Sequence, residues 1–350
     1  MKTAVIALTK NGVELAAKIS AAFGAAGYGP AALLDAGTED NRAAMRPIEG
    51  DFQAFVGKLF GEYRALIFIM ACGIVVRSIV PYLKGKTVDP AVVVSDEKGK
   101  YVISLLSGHW GGANQLAREI AQFTKGQPVV TTATDVNGVL AFDAFARDSD
   151  CALENGSVLK EISSLLVNGG RVHLFTDCHI AGEYPPYLVP GQETDRGKYA
   201  VVLSNSTALQ PQFEHVLYIR PRNLIVGIGC KKGTSQAAIA ASLANFLEQH
   251  HKSPLSLKRL ASIDLKADEA GIVDYCREND LPYLTLPVER IQAVEDRFHY
   301  SPFVKQAVGV GGVAEACAVL GGENTRLAVP KTIYPGLTLA LAEEEKVYQL

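Results

Sequence analysis

Apolar residues in this chain fall in short unbroken blocks, separated by stretches with helical periodicity. Thr3–Thr9 (TAVIALT) predicts a strand, and Val13–Ala26 predicts a helix ending near Gly27. Ala65–Met70 (ALIFIM) predicts a second buried strand within the longest apolar run, Ala65 to Val76. Ala91–Val94 and Tyr101–Ser104 read as two short strands joined by a turn at Asp96–Gly99. A helix from Gly112 to Phe123 and a strand at Pro128–Thr132 follow. Val/Ile-rich blocks without strict alternation suit strands buried on both faces, which means an α/β layer architecture with mostly parallel sheets covered by helices.

The composition shifts after Asp148. Between Cys151 and Arg222 the pattern gives a helix at Val158–Val167, strands at Arg171–Phe175, Tyr199–Leu203 and Val216–Ile219, and a Pro/Gly-rich stretch from Gly182 to Gly197. Pro221 marks the next junction. Leu224–Gly229 (LIVGIG) then opens a strand, with a helix from Ser235 to Leu247 behind it. A strand at Leu257–Ile263, helices at Ala267–Arg277 and Gly312–Leu320, and a strand at Thr338–Leu341 complete the pattern. The expected organisation is three consecutive α/β units: residues 1–149, 150–221 and 222–350.

Composition narrows the function classes. The 350 residues carry 34 Lys+Arg against 37 Asp+Glu, a net charge of −3, which lacks the basic excess of a general nucleic-acid binder. The apolar run that stops at Arg77 is shorter than the ~20 residues needed to span a bilayer. Six scattered cysteines without a C-x-x-C pair favour reduced thiols in a cytoplasmic protein over a zinc site or disulfide framework. His173 and His179, near Cys178, have poor ligand spacing and read as structural. No metal site is expected.

Two glycine-rich turns carry the candidate chemistry, each running from strand to loop to helix. In Ser104–Asn114 (SLLSGHWGGAN), Gly108, Gly111 and Gly112 can present backbone N–H groups at a helix start, where the dipole favours anions. His109 in that loop is a candidate acid or base, and Ser107 a candidate nucleophile that lacks the G-x-S-x-G elbow. A tight turn whose His caps the helix explains the same residues. In Gly227–Ser235 (GIGCKKGTS), Lys231 and Lys232 supply charge; the turn from Gly229 through Gly233, Thr234 and Ser235 supplies amides and hydroxyls for a carboxylate or phosphate. The competing reading makes Thr234 or Ser235 a plain helix cap. Arg77, with Lys84 and Lys86, forms a cationic edge after a buried strand. Thr132 and Asp135 end another strand in ligand-facing groups, or in a cap. Lys266 sits among carboxylates at a helix start. Glu315, among small apolar residues, is paired, capping or functional.

Together these segments resemble the cobalt-precorrin-5A hydrolase family of anaerobic cobalamin biosynthesis. The resemblance rests on GIVVRSIVPYLKGKTVDPAVVVSDEKG, ISLLSGHWGGANQLA and VVTTATDVNGVLAFD, and then on LIVGIGCKKGTS, ASIDLKADE, GVGGVAEACAVL and Lys331. It covers Ala65–Arg147 and Asn223–Ala342; the middle unit matches only in length and position. Trp110 stands where an aliphatic residue is expected, and the last unit also resembles a stand-alone protein of the aerobic pathway. The resemblance implies opening of a ring-A δ-lactone of a cobalt corrinoid and release of acetaldehyde. In that reading His109, Ser107 and Glu315 are the catalytic candidates. Arg77, Lys84, Gly108, Gly111, Gly112, Asn114, Thr132, Asp135, Gly229, Lys231, Lys232, Gly233, Thr234, Ser235 and Lys266 are the substrate-binding candidates. No cofactor is expected, because the cobalt belongs to the substrate, and His109 ligating that cobalt is a competing role. Expected partners are the corrinoid, a second copy of the chain and transient contacts with neighbouring pathway enzymes, with no nucleic acid and no membrane. A non-catalytic corrinoid carrier and a phosphosugar- or nucleotide-binding α/β enzyme are the alternatives the same loops allow.

Overall fold

The computed structural model describes residues 2–35, 44–85 and 88–350; Lys86 lies outside them. The chain divides into two compact units, Met1–Ala144 and Phe145–Leu350.

The first unit is built on seven strands: β1 (Thr3–Ala7), β2 (Ala26–Gly29), β3 (Met45–Pro47), β4 (Ala65–Ile69), β5 (Ala91–Ser95), β6 (Tyr101–Leu106) and β7 (Gln127–Val129). Their order is β3-β2-β1-β4-β5-β6-β7, and every neighbouring pair is parallel except β5 with β6. The unbroken apolar blocks have a direct cause. Val5, Ile67 and Val93 face the helices Lys10–Phe23 and Ala113–Thr124, while Ile6, Phe68 and Val94 face Phe52–Glu62 and Cys72–Ile79. Successive side chains point to opposite faces, so a sheet covered twice needs apolar residues at every position. Emptying one such site, as in Phe68→Ala, costs about 3–5 kcal/mol.

The first helix begins and ends earlier than its apolar spacing predicts. Thr9 accepts a hydrogen bond from the Gly12 amide at 3.2 Å, so the helix starts at Lys10. Gly24, at φ 62°, closes it after Phe23. The following Ala26–Gly29 is a strand, and Gly27 is required there: a Cβ would lie 2.2 Å from Met45 Sδ and 2.8 Å from the Ala44 carbonyl. Arg77 sits in the last turn of the helix Cys72–Ile79, which occupies the end of the apolar run.

The second unit contains two main sheets. The first has β8 (Cys151–Glu154), β9 (Val172–Thr176), β11 (Leu188–Pro190), β12 (Gly197–Leu203) and β13 (Phe213–Pro221) in the order β11-β9-β12-β13-β8, parallel except for β8. The other has β14 (Leu224–Cys230), β15 (Leu257–Ile263), β16 (Tyr283–Leu286), β17 (Thr325–Tyr334) and β18 (Leu337–Glu344) in the order β16-β15-β14-β18-β17. Here β14, β15 and β16 run parallel, and the β17–β18 hairpin adds antiparallel strands at β14. A short parallel pair joins β10 (His179–Ala181) to β19 (Val347–Gln349). A buried polar cluster holds the two sheets in one body. Asn205 donates to Asn223 Oδ1 at 3.1 Å and to Glu343 at 2.5 Å, while Lys252 Nζ donates to Asn205 Oδ1 at 2.6 Å. Asn205 and Asn223 are 2% and 4% exposed, so breaking this cluster strands buried polar groups at about 1–3 kcal/mol each. The architecture is α/β, with mostly parallel sheets flanked by helices.

Candidate functional site

The glycine loop of the first unit lies at an unusual edge of its sheet. Because β6 runs antiparallel to β5, its carboxyl end meets the amino end of β5, with Leu106 paired to Val92. The next strand, β7, is parallel to β6, so the loops following both strands emerge at the same edge. Neighbouring parallel strands commonly form a ligand crevice at their carboxyl ends. The more usual crevice, at the carboxyl ends of β1 and β4, receives a carboxylate of the chain itself: Thr9 donates to Glu97 Oε2 at 2.9 Å and Asn11 to Oε1 at 3.4 Å.

At the β6–β7 edge, His109 lies between two carboxylates. Its Nε2 is 2.8 Å from Asp135 Oδ2 and its Nδ1 is 3.4 Å from Asp143 Oδ1; all three side chains are less than a fifth exposed. Asp135 also accepts from Asn114 Nδ2 at 2.9 Å, from Thr132 Oγ1 at 2.5 Å and from the Arg118 guanidinium. Asn114 is fixed in turn, receiving Ser104 Oγ at 2.7 Å and donating to Thr132 at 2.9 Å. The Thr134 hydroxyl lies 3.0 Å from His109 Nε2.

This arrangement sets the charges. Asp143 holds the His109 pKa above its ordinary value; burial opposes that shift and Asp135 reinforces it. Burial pushes the Asp135 carboxyl up, but Thr132, Arg118 and His109 outweigh it and bring the pKa down to about 2. Asp143 is likewise lowered, its burial outweighed by His109. A protonated imidazole between two carboxylates has no free lone pair, so it suits proton donation better than water activation.

The remaining candidates of this unit divide into framework and free groups. Ser107 has φ 56° and donates its hydroxyl to the Asp89 carbonyl at 3.0 Å. The Gly112 amide donates to the His109 carbonyl at 3.0 Å, whereas among the described residues the Gly108 and Gly111 amides have no protein acceptor. Both glycines are required: a Cβ on Gly108 would lie 2.6 Å from Asn114 Oδ1, and one on Gly111 would lie 2.5 Å from Ser107 Cβ. Asn114, Thr132 and Asp135 are hydrogen-bonded to one another and position His109. Arg77 and Lys84 are exposed and form no ion pair with described residues; the Lys84 amide is tied to Asp89 at 2.9 Å.

In the second unit, the carboxyl ends of β14 and β15 open on a cavity of about 500 Å³. Ile263, Val304, Val308 and Val313 give it apolar walls, and Lys231, Lys266 and Lys331 bring cationic side chains to its lining. Several expected anion donors are engaged within the protein. The Gly233 amide donates to Glu269 Oε1 at 2.7 Å, Thr234 Oγ1 to the Lys231 carbonyl at 2.8 Å, and Ser235 accepts from the Ala238 amide as a helix cap. Lys266 pairs with Glu269 at 2.7 Å, and this contact, ahead of the opposing burial and the Gly233 amide, lowers the Glu269 pKa. Lys231 and Lys232 are exposed without an ion pair among the described residues. Gly229 lines the cavity, whereas Gly227 serves packing, since a Cβ there would lie 1.8 Å from the Ala314 carbonyl.

Glu315 is 4% exposed and accepts three hydrogen bonds: the His299 amide at 2.8 Å, His299 Nδ1 at 3.0 Å and the Lys331 amide at 2.9 Å. Burial opposes ionisation, but these donors prevail and lower its pKa. Both of its oxygens are thus taken up by donors of the protein itself. The sequence reading missed Asp143 and His299. Asp143 lies in an unremarkable LAFDAF context, and His299 in RFHYSP has no spacing signal; each is recruited through a distant contact.

Comparison with known proteins places the chain in a family. The matching family descriptions are Cobalamin synthesis G N-terminal over residues 54–135, Cobalamin biosynthesis central region over 140–221 and Cobalamin synthesis G C-terminus over 224–342. A Cobalt-precorrin-5A hydrolase of Salmonella typhimurium is 35% identical over 327 residues, covering 91% of this chain and 91% of that protein. One from Priestia megaterium is 30% identical over 97% of this chain and 94% of its own length. Protein CobE of Sinorhizobium sp is 29% identical over 121 residues, 34% of this chain and 79% of that protein. With all three descriptions matched in order and relatives aligned over nearly the whole length, the chain belongs to the cobalt-precorrin-5A hydrolase family of cobalamin biosynthesis.

Proposed function

We propose that this protein hydrolyses cobalt-precorrin-5A: water opens the ring-A δ-lactone, and the two-carbon fragment leaves as acetaldehyde. The observation that carries the chemical assignment is the His109 clamp, an imidazole held between Asp135 and Asp143 in a loop where the Gly108 and Gly111 amides have no acceptor among the described residues. Water adds to the lactone carbonyl; its oxygen stays in the new carboxylate and its protons pass to solvent. The acyl C–O bond breaks, and His109 gives its proton to the departing alkoxide. The Gly108 and Gly111 amides are suitably free to stabilise the oxyanion of the addition step. The neutral ring then takes back the alcohol proton as the carbon–carbon bond breaks. The aldehyde C=O forms, and the electron pair passes into the macrocycle. The 3.4 Å contact with Asp143 is the longer of the two, so a substrate oxygen can displace it more readily.

Cobalt comes with the substrate, and the protein supplies proton transfer, oriented amides and cations. Each unit by itself is proposed to offer cations to corrinoid carboxylates: Arg77 and Lys84 in the first, Lys231 and Lys232 in the second. His109→Ala is expected to abolish acetaldehyde release from cobalt-precorrin-5A while corrinoid binding is retained. Unchanged turnover removes His109 from the chemistry.

A further inference from the structure

The cavity of the second unit holds a side chain with the arrangement of a metal ligand. His299 lines this cavity with its side chain 73% exposed, yet its orientation is fixed. Nδ1 lies 3.0 Å from Glu315 Oε1, and the His299 amide donates to Oε2 at 2.8 Å. Gly312 lets the chain approach closely behind it, since a Cβ there would lie 2.6 Å from the His299 carbonyl. Glu315, with its three donors, is an ionised group that only accepts, so the Nδ1 facing it carries the ring proton. In the neutral imidazole the lone pair is then on Nε2, which pairs with no other described residue. A buried carboxylate that fixes one ring nitrogen and leaves the other open is how metal-binding histidines are oriented and made more basic.

The described residues contain no group of three His, Cys, Asp or Glu placed to hold a metal ion. A bare cation would thus find too few ligands here. A cobalt already held by the ring nitrogens of a corrinoid needs only one axial ligand. The apolar walls and Lys231 and Lys331 suit the edge of such a flat, carboxylate-bearing molecule, and the exposed Phe303 and Ile333 extend the apolar surface outward. Both nitrogens of His109 face carboxylates, whereas His299 keeps Nε2 open. We infer that His299 Nε2 is the axial ligand of a corrinoid cobalt bound at this cavity, with Glu315 as the positioning residue behind it. Ligation displaces the axial water and moves no electron. The inference rests on the corrinoid reading above and adds the atom that meets the metal.

The test uses the full chain and cob(II)inamide, a corrinoid without a nucleotide base of its own, under oxygen-free conditions. Co-elution on gel filtration reports binding, and electron paramagnetic resonance reports the axial atom. The expected spectrum shows nitrogen superhyperfine splitting that changes pattern when the protein's histidines carry nitrogen-15. In His299→Ala the splitting is lost, and added free imidazole restores it. Glu315→Gln keeps the splitting but weakens binding on the order of tenfold. If that buried substitution unfolds the protein, the exposed His299 variant still decides the question. Splitting that persists in His299→Ala overturns the inference. A corrinoid that co-elutes without nitrogen splitting overturns it too, yet leaves the corrinoid reading standing. Failure to co-elute at all removes the corrinoid reading together with the inference.

Discussion

Asp135→Asn tests whether the His109 site is held by charge. Asp135 is less than a fifth exposed, so solvent screening takes little from its interactions. Its pKa falls from the ordinary 3.8 to about 2, which at about 1.4 kcal/mol per tenfold amounts to about 2 kcal/mol of folding stability. A lowered carboxyl stabilises the fold above its unfolded value, and that stability is lost as the pH falls through the folded value. The variant should therefore be about 2 kcal/mol less stable than the parent at pH 7, and the gap should close between about pH 4 and pH 2. Trp110, the only tryptophan in the chain, lies in the same loop as His109 and reports unfolding of this unit by fluorescence in urea. The variant should also lower the His109 pKa toward the ordinary imidazole value, visible in an NMR titration. A stability gap of equal size at pH 7 and pH 3, or none at pH 7, would refute the claim that Asp135 acts as an ionised anchor.

Three further outcomes follow from the same geometry. If imidazolium is the working form of His109, turnover should fall on the alkaline side as the pH passes its raised pKa; Asp143→Asn should move that fall to lower pH, and an unmoved profile would show that Asp143 does not hold the ring. Charge reversal at Lys231 and Lys232 should weaken corrinoid binding and flatten its salt dependence, and unchanged binding would leave this loop with packing alone. Gly227→Ala should destabilise the second unit by about 1–3 kcal/mol in thermal unfolding, because its methyl group meets the Ala314 backbone; an unshifted transition would contradict that close approach.

The sheets were legible in the sequence because burial on both faces writes itself as continuous apolar blocks. ALIFIM and LIVGIG are the central strands β4 and β14. The β17 strand, Thr325–Tyr334, was not legible: it mixes Lys, Arg, Pro and Thr with apolar residues, and its place is fixed by pairing with β18. The Val13–Ala26 reading slipped because apolar spacing marks a helix face, whereas Thr9 and Gly24 mark its ends. Site residues followed the same division. His109, Gly108 and Asp135 stood out because glycine turns and strand ends are local features. Asp143 and His299 did not, because their importance lies in contacts with residues 34 and 16 positions away. The Gly233–Ser235 turn looked like an anion site because a loop that binds an external carboxylate and one that binds Glu269 have the same local sequence.

The central claim is that this chain opens the lactone and releases a two-carbon aldehyde. Purified protein incubated with cobalt-precorrin-5A, with acetaldehyde trapped and quantified alongside the corrinoid product, tests it most directly. The account predicts one acetaldehyde per corrinoid converted, abolished by His109→Ala. Tight corrinoid binding with no acetaldehyde from the parent protein would contradict it and make the protein a carrier.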